Sequence, residues 1–300
     1  MELRHITSFI AVAEELHFGR AAKRLNISQP PLSQQIRQLE EEIGVRLFNR
    51  TRRRVEITAA GLVFLTEARR IMALTKEAVR QTIRADRGEL GSLAIGFIGS
   101  ANYSVLPRVI LDFRKQYQEV ELSLTEMNTS HQLEALRDDR IHVGFMRPPR
   151  GIENEGISVE PVFREPLVAA IPGHHPLKGE TPLPLRLLAK ESFIMIPRQR
   201  GPGFFDSIIA LCQQEGFSPH IVLEASQFHT VIGLVATGIG VSILPASMQR
   251  SRMKGVVFRT IAGGVETVLD MAWVTGNPSP VLRNFIDIAR KTARSLSPCR

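Results

Sequence analysis

Cysteine is nearly absent. Two in 300 residues, Cys212 and Cys299, cannot staple a chain of this size. A disulfide framework is therefore excluded and a reducing cytosol is expected, with Cys212 serving as a small core hydrophobe. Long apolar runs are missing as well, since none approaches the ~20 residues that span a bilayer. The opening stretch MELRHITSFIAVAEELHF is interrupted by Arg4, Glu14 and Glu15, so it does not read as a signal peptide. A cytoplasmic protein with no membrane partner is expected. There is no internal repeat and no low-complexity tract. Enzyme signatures are lacking too, with neither a Gly-x-Ser-x-Gly elbow nor a phosphate loop. Gly238-Ile239-Gly240 lacks the third glycine of a dinucleotide fingerprint. His174-His175 is an adjacent pair beside Pro176 and reads as a loop, while His131, His142 and His229 have no Cys or carboxylate at ligand spacing. No catalytic residue, metal or cofactor is expected, and the chain is not read as an enzyme.

What is present is an ordinary globular mixture, 43% hydrophobic and 23% charged, with enough length for about two domains at ~100–200 residues each. The net charge is +8, and it is unevenly spread. Residues 1–90 hold 16 Lys/Arg against 11 Asp/Glu, whereas residues 91–300 hold 22 against 19. Arg46, Arg50, Arg52, Arg53 and Arg54 fall together with only Glu56 to oppose them. Such an excess suits a polyanion, either nucleic acid or an anionic membrane surface, although a charge run alone equally describes a solvated face.

The neighbouring residues favour nucleic acid. Leu3, Ile6, Phe9 or Ile10, Ala13 and Leu16 recur at helical spacing over residues 2–16. A short helix fits Phe18–Leu25, and Asn26-Ile27-Ser28 breaks it. A third helix, Pro30 to Glu42, buries Leu32, Ile36, Leu39 and Ile43, leaving Ser33, Gln34 and Arg37 off that stripe. With Gln29 as N-cap, Pro30 and Pro31 fill the first turn, where N–H groups have no intrahelical partner. This arrangement matches a helix-turn-helix whose second helix enters the major groove. Val45–Thr58 reads as a wing with an Arg-rich tip that contacts phosphate or the minor groove. The candidate DNA-binding residues are Gln29, Pro30, Pro31, Ser33, Gln34, Arg37, Arg50, Arg52, Arg53 and Arg54.

The run AVAEELHFGRAAKRLNISQPPLSQQIRQLEEEIGVRLFNRTRRRVEITAAG resembles the N-terminal domain of LysR-type transcriptional regulators. Many members carry arginine where this chain has Gln34, which removes a charge from the recognition helix. The resemblance implies an N-terminal all-α winged helix-turn-helix over 1–58, a dimerising linker helix over 59–89 and an effector domain over 90–300. It also implies double-stranded DNA at dyad promoter sites and RNA polymerase as partners, with a tetramer assembled from dimers.

The linker is also legible from its own spacing. Leu62, Leu65, Ala68, Met72, Thr75 and Val79 form a stripe along residues 59–87, a helix of roughly 40–45 Å. A lone helix of that length cannot bury its stripe in a small domain, so pairing with a second chain is expected, packing on its own C-terminal domain being the other way to cover it.

Beyond Gly88-Glu89-Leu90-Gly91 strands and helices alternate, an α/β architecture. The strings GFIGS, LTEMNTSHQLEAL, VGFMR and GLVATGIGVSILP resemble the two-lobed effector domain of the same regulators. That domain is similar to type II periplasmic binding proteins, and the nearest subgroup responds to aromatic acids or muconate. The crossovers fall near Glu160–Val162 and Val265–Val268, giving one lobe over about 90–161 and 267–300 and another over about 162–266. Two strand-to-helix junctions, Gly99-Ser100-Ala101-Asn102 and Asn128-Thr129-Ser130, can converge on one crevice and hold a small carboxylate. Thr129 and Gln132 have capping-box spacing, so these hydroxyls also read as plain caps; the resemblance aligns Ser100 and Thr129 with effector contacts. Arg147 can pair bidentately with a carboxylate or form a surface salt bridge. Phe204 and Phe205 follow a Pro/Gly loop, one to stack on a ligand and the other to fill core, and Gln227 and Phe228 open a helix of the same lobe. The effector-site expectation is Ser100, Asn102, Asn128, Thr129, Arg147 and Phe204.

The function expected is a regulator switched by a small organic acid, in aromatic-compound or organic-acid catabolism. A carrier using only the C-terminal half would leave the Arg-rich wing without a use. An enzyme acting on a small acid would turn such an acid over, which an assay with and without promoter DNA decides.

Overall fold

The computed structural model describes residues 1–51, 54–149, 151 and 156–296. It divides into two compact units, Met1–Arg84 and Ala85–Arg300. Among the described residues no helix is long and apolar enough to cross a membrane.

The first unit is built from α1 (Leu3–Glu15), α2 (Phe18–Arg24), α3 (Gln29–Ile43), a wing of β1 (Phe48–Arg50) and β2 (Val55–Ile57), and α4 (Ala59–Asp86). Ile6, Phe9 and Val12 of α1 pack with Leu32, Ile36 and Leu39 of α3 and with Phe48 of the wing. The ends of the expected α1 stripe lie outside that core, Leu3 and Leu16 being 47% and 46% exposed. The N-cap of α3 is Ser28, in extended conformation, not Gln29. Gln29 is therefore helical and the prolines stand one position deeper, still within the turn whose N–H groups have no helical acceptor.

The linker stripe divides along its length. Ala68 is fully buried, and Leu65 and Met72 pack on the same core as α1, so these residues cover the first unit itself. Ala68 is small enough to let the helices approach. Gly61 brings α4 against the wing, since a Cβ there would lie 2.3 Å from the Leu47 carbonyl oxygen. Leu62, Val79 and Ile83 are 55%, 57% and 46% exposed.

The second unit has two lobes. In the first, β3 (Gly91–Phe97) runs parallel to β4 (Val120–Glu126) and β5 (Val143–Met146), with α5 (Leu106–Gln116), α6 (Thr129–Arg137) and the last helix, α9 (Pro280–Leu296). Its core gathers Leu93, Ile95, Val109, Phe113, Phe145 and Phe285. The second holds β7 (Ser192–Met195), α7 (Pro202–Gln214), β8 (His220–Glu224), α8 (Phe228–Ala236), β9 (Ser242–Pro245) and β10 (Val256–Thr260) around Phe193, Ile194, Ile208, Val231 and Ile243. Two strands join the lobes, β6 (Ile157–Pro172) and β11 (Glu266–Val274). β6 pairs antiparallel with β11 from Ile157 to Pro166, then with β9 and β10 from Leu167 onward. The first crossover therefore lies at Pro166/Leu167, later than Glu160–Val162, and Val162 is buried in the first lobe's core. Pro161 and Val162 fall where the register shifts opposite Leu269/Asp270, a bulge that accommodates a proline with no N–H for the ladder.

Candidate nucleic-acid interface and ligand cleft

α3 presents its polar side as expected. Gln29, Pro30, Pro31, Gln34 and Arg37 are exposed and Ser33 is half-buried. One groove collects Gln29 and Ser33 of α3, Arg50, Thr51 and Arg54 of the wing, and His17, Gly19 and Arg20 at the start of α2. Arg37 lies on a neighbouring groove with Arg46 and Arg50. Pro30, Pro31 and Gln34 line neither, and Arg52 and Arg53 lie outside the described residues.

Arg50 and Arg54 of the wing are already paired within the first unit. Arg50 donates to Glu40 Oε2 at 2.8 Å and its guanidinium sits 4.8 Å above the Phe18 ring. Arg54 pairs with Glu56 at 3.0 Å, an exposed contact of the kind worth ~0–1 kcal/mol. Glu40 also accepts the Leu47 and Phe48 amides at 2.9 and 3.0 Å, so one carboxylate on α3 sets the wing's starting position. His17 caps α2, its Nδ1 accepting the Gly19 and Arg20 amides at 3.0 and 3.2 Å, which leaves any ring proton on Nε2. The sequence drew attention to neither Glu40 nor His17, because each acts through the backbone of another segment.

The cleft in the second unit lies between its lobes and is tight, with a volume of about 50 Å³. The first lobe contributes Ile98, Gly99, Glu126, Met127, Asn128, Thr129 and Arg147; the second contributes Ile196, Arg200, Gly201, Phe204, Ser226, Gln227 and Phe228. The N-termini of α6, α7 and α8 all open on it. The N-cap of α6 is Asn128, whose Oδ1 accepts the His131 amide at 3.0 Å. Thr129 is thus the first helical residue and no capping box forms with Gln132, whose amide instead donates to the Met127 and Phe145 carbonyls. Freed from capping, Thr129 is 3% exposed, and among the described residues its hydroxyl has no hydrogen-bond partner. Phe204 packs edge-on against Phe228, ring centroids 5.4 Å apart, while Phe205 packs on the second lobe's core.

The other junction differs from expectation. Gly99–Tyr103 is a single 3₁₀ turn. Ser100 is fully buried with its hydroxyl turned inward, accepting from Arg147 Nη1 at 2.8 Å. Asn102 is exposed, and neither residue lines the cleft. Arg147 reaches the cleft, 5.5 Å from the Phe204 ring, but it is committed to the protein. Its Nε donates to Thr267 Oγ1 and its Nη2 to Glu165 Oε1, both at 3.0 Å. Glu165 Oε2 accepts the Ser247 amide at 2.6 Å. Burial lowers the proton affinity of Arg147, and the charges of Glu165 and Asp270 oppose that. A desolvated guanidinium needs this many acceptors, which is why Ser100 and Arg147 serve the joint between lobes. Glu126, Met127, Ile98, Ile196, Arg200 and Ser226 were not anticipated. For Arg200 a signal existed, Pro202 at the start of a helix, which marks the preceding loop as a helix mouth.

Comparison with known proteins completes the picture. Residues 3–62 match the model of the bacterial regulatory helix-turn-helix protein, lysR family, and residues 86–294 match that of the LysR substrate binding domain. The chain is 41% identical over 293 residues to the HTH-type transcriptional regulator AlsR of Bacillus subtilis (strain 168), covering 96% of this chain and 95% of that one. It is 37% identical over 295 residues to the HTH-type transcriptional regulator CatR of Pseudomonas putida, covering 98% and 100%. The solved structure of CbnR, a LysR family transcriptional regulator, superposes with a TM-score of 0.83 at 33% identity over 97% of this chain and 100% of CbnR. Full-length CbnR complexed with its target DNA gives the same TM-score at 32% identity, over 98% and 100%.

Proposed function

Because the chain belongs to the LysR family of bacterial transcriptional regulators, we propose that it binds dyad promoter DNA as a cytoplasmic dimer and is switched by a small organic acid held in its cleft. The family is one of DNA-binding regulators, not enzymes. In this reading Gln29 and Ser33 face the base edges from the tip of α3, with Gln34 and Arg37 further along. Pro30 and Pro31 stiffen the tip that approaches the groove. Arg50, Arg52, Arg53 and Arg54 supply phosphate contacts that position the protein without reading sequence. The exposed apolar residues Val79 and Ile83 of α4 pair the linkers of two chains, placing two recognition helices on half-sites. Effector domains join such dimers into a tetramer that meets RNA polymerase at the promoter.

The observation that carries the effector half is Thr129, a buried residue at a helix N-terminus whose hydroxyl has no partner among the described residues, lining one cleft with Phe204 and Phe228. A carboxylate accepts that hydroxyl and the amides of the helix N-terminus, while the hydrocarbon part lies on the rings. Binding changes promoter occupancy only through different affinities for the two lobe closures. Aromatic acids and unsaturated dicarboxylates are the first ligands to screen by thermal shift on the full chain. For DNA, fluorescence anisotropy across a salt series is the test. Arg54→Ala should weaken binding to all sequences and reduce the salt slope by about 1, whereas Gln29→Ala and Ser33→Ala should change sequence preference. Unchanged affinity, slope and preference in all three variants would place the DNA-binding face elsewhere.

A further inference from the structure

The cleft has two chemically opposite ends. One is an anion-binding end, with the unpartnered hydroxyl of the buried Thr129, the N-terminus of α6 and the Arg200 guanidinium, which has no side-chain partner among the described residues. The other is an acceptor end around Gly99. A Cβ built on Gly99 would lie 2.9 Å from Glu126 Oε1 and 3.8 Å from Gln227 Oε1, so two side-chain oxygens from different lobes converge on the space that this glycine leaves empty. Neither is used by the fold. Gln227 is the N-cap of α8 yet makes no side-chain cap hydrogen bond, and among the described residues the Glu126 carboxylate has no partner.

Both residues are exposed and hydrated while the cleft is empty, so a ligand that displaces this water is favoured there when it donates, and the carboxylate favours positive charge. A second carboxylate at that end would instead face Glu126, a like-charge contact. We infer that the cleft selects a small aminocarboxylate, its carboxylate at Thr129 and Arg200, its ammonium over Gly99 between Glu126 and Gln227, and its side chain against Phe204. This rests on the reading of the cleft as the effector site and narrows the acid to one that carries an amine.

Calorimetry on the full-length protein tests it with matched probes: phenylalanine against 3-phenylpropanoate, leucine against 4-methylpentanoate, and muconate and succinate as dicarboxylates. The expected result is at least tenfold tighter binding for one amino acid than for its amine-free partner, and weaker binding still for the dicarboxylates. Glu126→Gln, an exposed position whose folding is checked by its melting temperature, should abolish that preference without weakening the amine-free acid. Gly99→Ala should do the same by filling the space. Equal or tighter binding of amine-free acids or dicarboxylates, lost in Thr129→Val but indifferent to Glu126→Gln, overturns the inference and leaves the cleft as the effector site. Binding of any probe that is indifferent to Thr129→Val, or no binding by any probe, overturns both.

Discussion

At the scale of the residue, two side chains make the sharpest tests because each stands in an environment with one dominant influence. Thr129 offers a hydroxyl that the protein itself does not use. Thr129→Val keeps the shape and removes the donor, and should cost ~1–3 kcal/mol of effector affinity, the range for a hydrogen bond to a charged group. Affinity for DNA without effector should stay as it is. Titration calorimetry with a validated effector reads the first and anisotropy the second. Cys212 is fully buried in the second lobe, and burial pushes its thiol up to about 11. In the unfolded chain the same thiol ionises near its ordinary value of 9.0. The native state thus holds a proton that the unfolded state has released, so the stability from this thiol is whole below roughly pH 9 and is lost as pH rises toward 11. By linkage the loss reaches about 2–3 kcal/mol. Urea unfolding at several pH values between these limits should show a shallower decline in Cys212→Ala than in the native sequence, even though the variant starts from a lower stability. Parallel declines would show that this thiol does not carry the effect.

At the scale of the element, α4 is the informative case. Its apolar stripe was legible from spacing, but spacing cannot say which residues meet which partner. Met72 packs on the core of its own unit, so a charge there would unfold the helix-turn-helix rather than separate two chains. Val79 and Ile83, one turn apart and exposed, are the positions at which association is separable from folding. Val79→Glu with Ile83→Glu should give a folded species of lower mass by light scattering, with weakened binding to a dyad site and unaltered helical content. A double variant of unchanged mass would remove α4 from the interface. α3, with its clean period, was readable to within a residue at each end. β8 and β10 were not foreseen, being five-residue strands without alternation long enough to separate from loop. The first half of β6 was not foreseen; it carries Pro161, which has no N–H for the ladder and is tolerated at the bulge opposite β11. In the cleft, Asn128, Thr129, Arg147 and Phe204 were named from helix-start chemistry and strand ends. Ser100 and Asn102 were named on the same grounds and do not reach it, because a one-turn 3₁₀ segment turns one inward and the other out. Glu126 and Arg200 escaped notice since their importance lies in lacking partners, a property of three dimensions.

At the scale of the whole molecule, the two lobes of the second unit meet in a buried ion pair. Glu165 on the shared strand β6 holds Arg147 of the first lobe with one oxygen and the Ser247 amide of the second with the other. Both charged side chains are almost fully enclosed, at 5% and 4% exposure. Removing the carboxylate leaves the guanidinium with Asp270 as its remaining counter-charge, a loss bounded by the ~3–5 kcal/mol of comparable buried pairs. Glu165→Ala should therefore lower the stability of the second unit by that order in denaturant titration. The same titration followed by DNA binding should leave the first unit's transition in place. A change below about 1 kcal/mol, near a typical neutral hydrogen bond, would mean that water replaces the carboxylate. The path of the chain through these lobes also dictates an order of events during synthesis. The second lobe, residues 167–265, is one continuous stretch, whereas the first lobe is interrupted by it. β5 cannot pair with β11, and Phe285 of α9 cannot wedge between Phe113 and Phe145, until nearly the whole message has been translated. The helix-turn-helix and linker leave the ribosome long before. On the proposed reading, a chain cut short by a premature stop anywhere after the linker is thus equipped to occupy an operator and to pair with an intact copy, yet has no finished cleft. Nonsense alleles of such a gene should act as dominant, ligand-deaf repressors of their own full-length product rather than as simple losses.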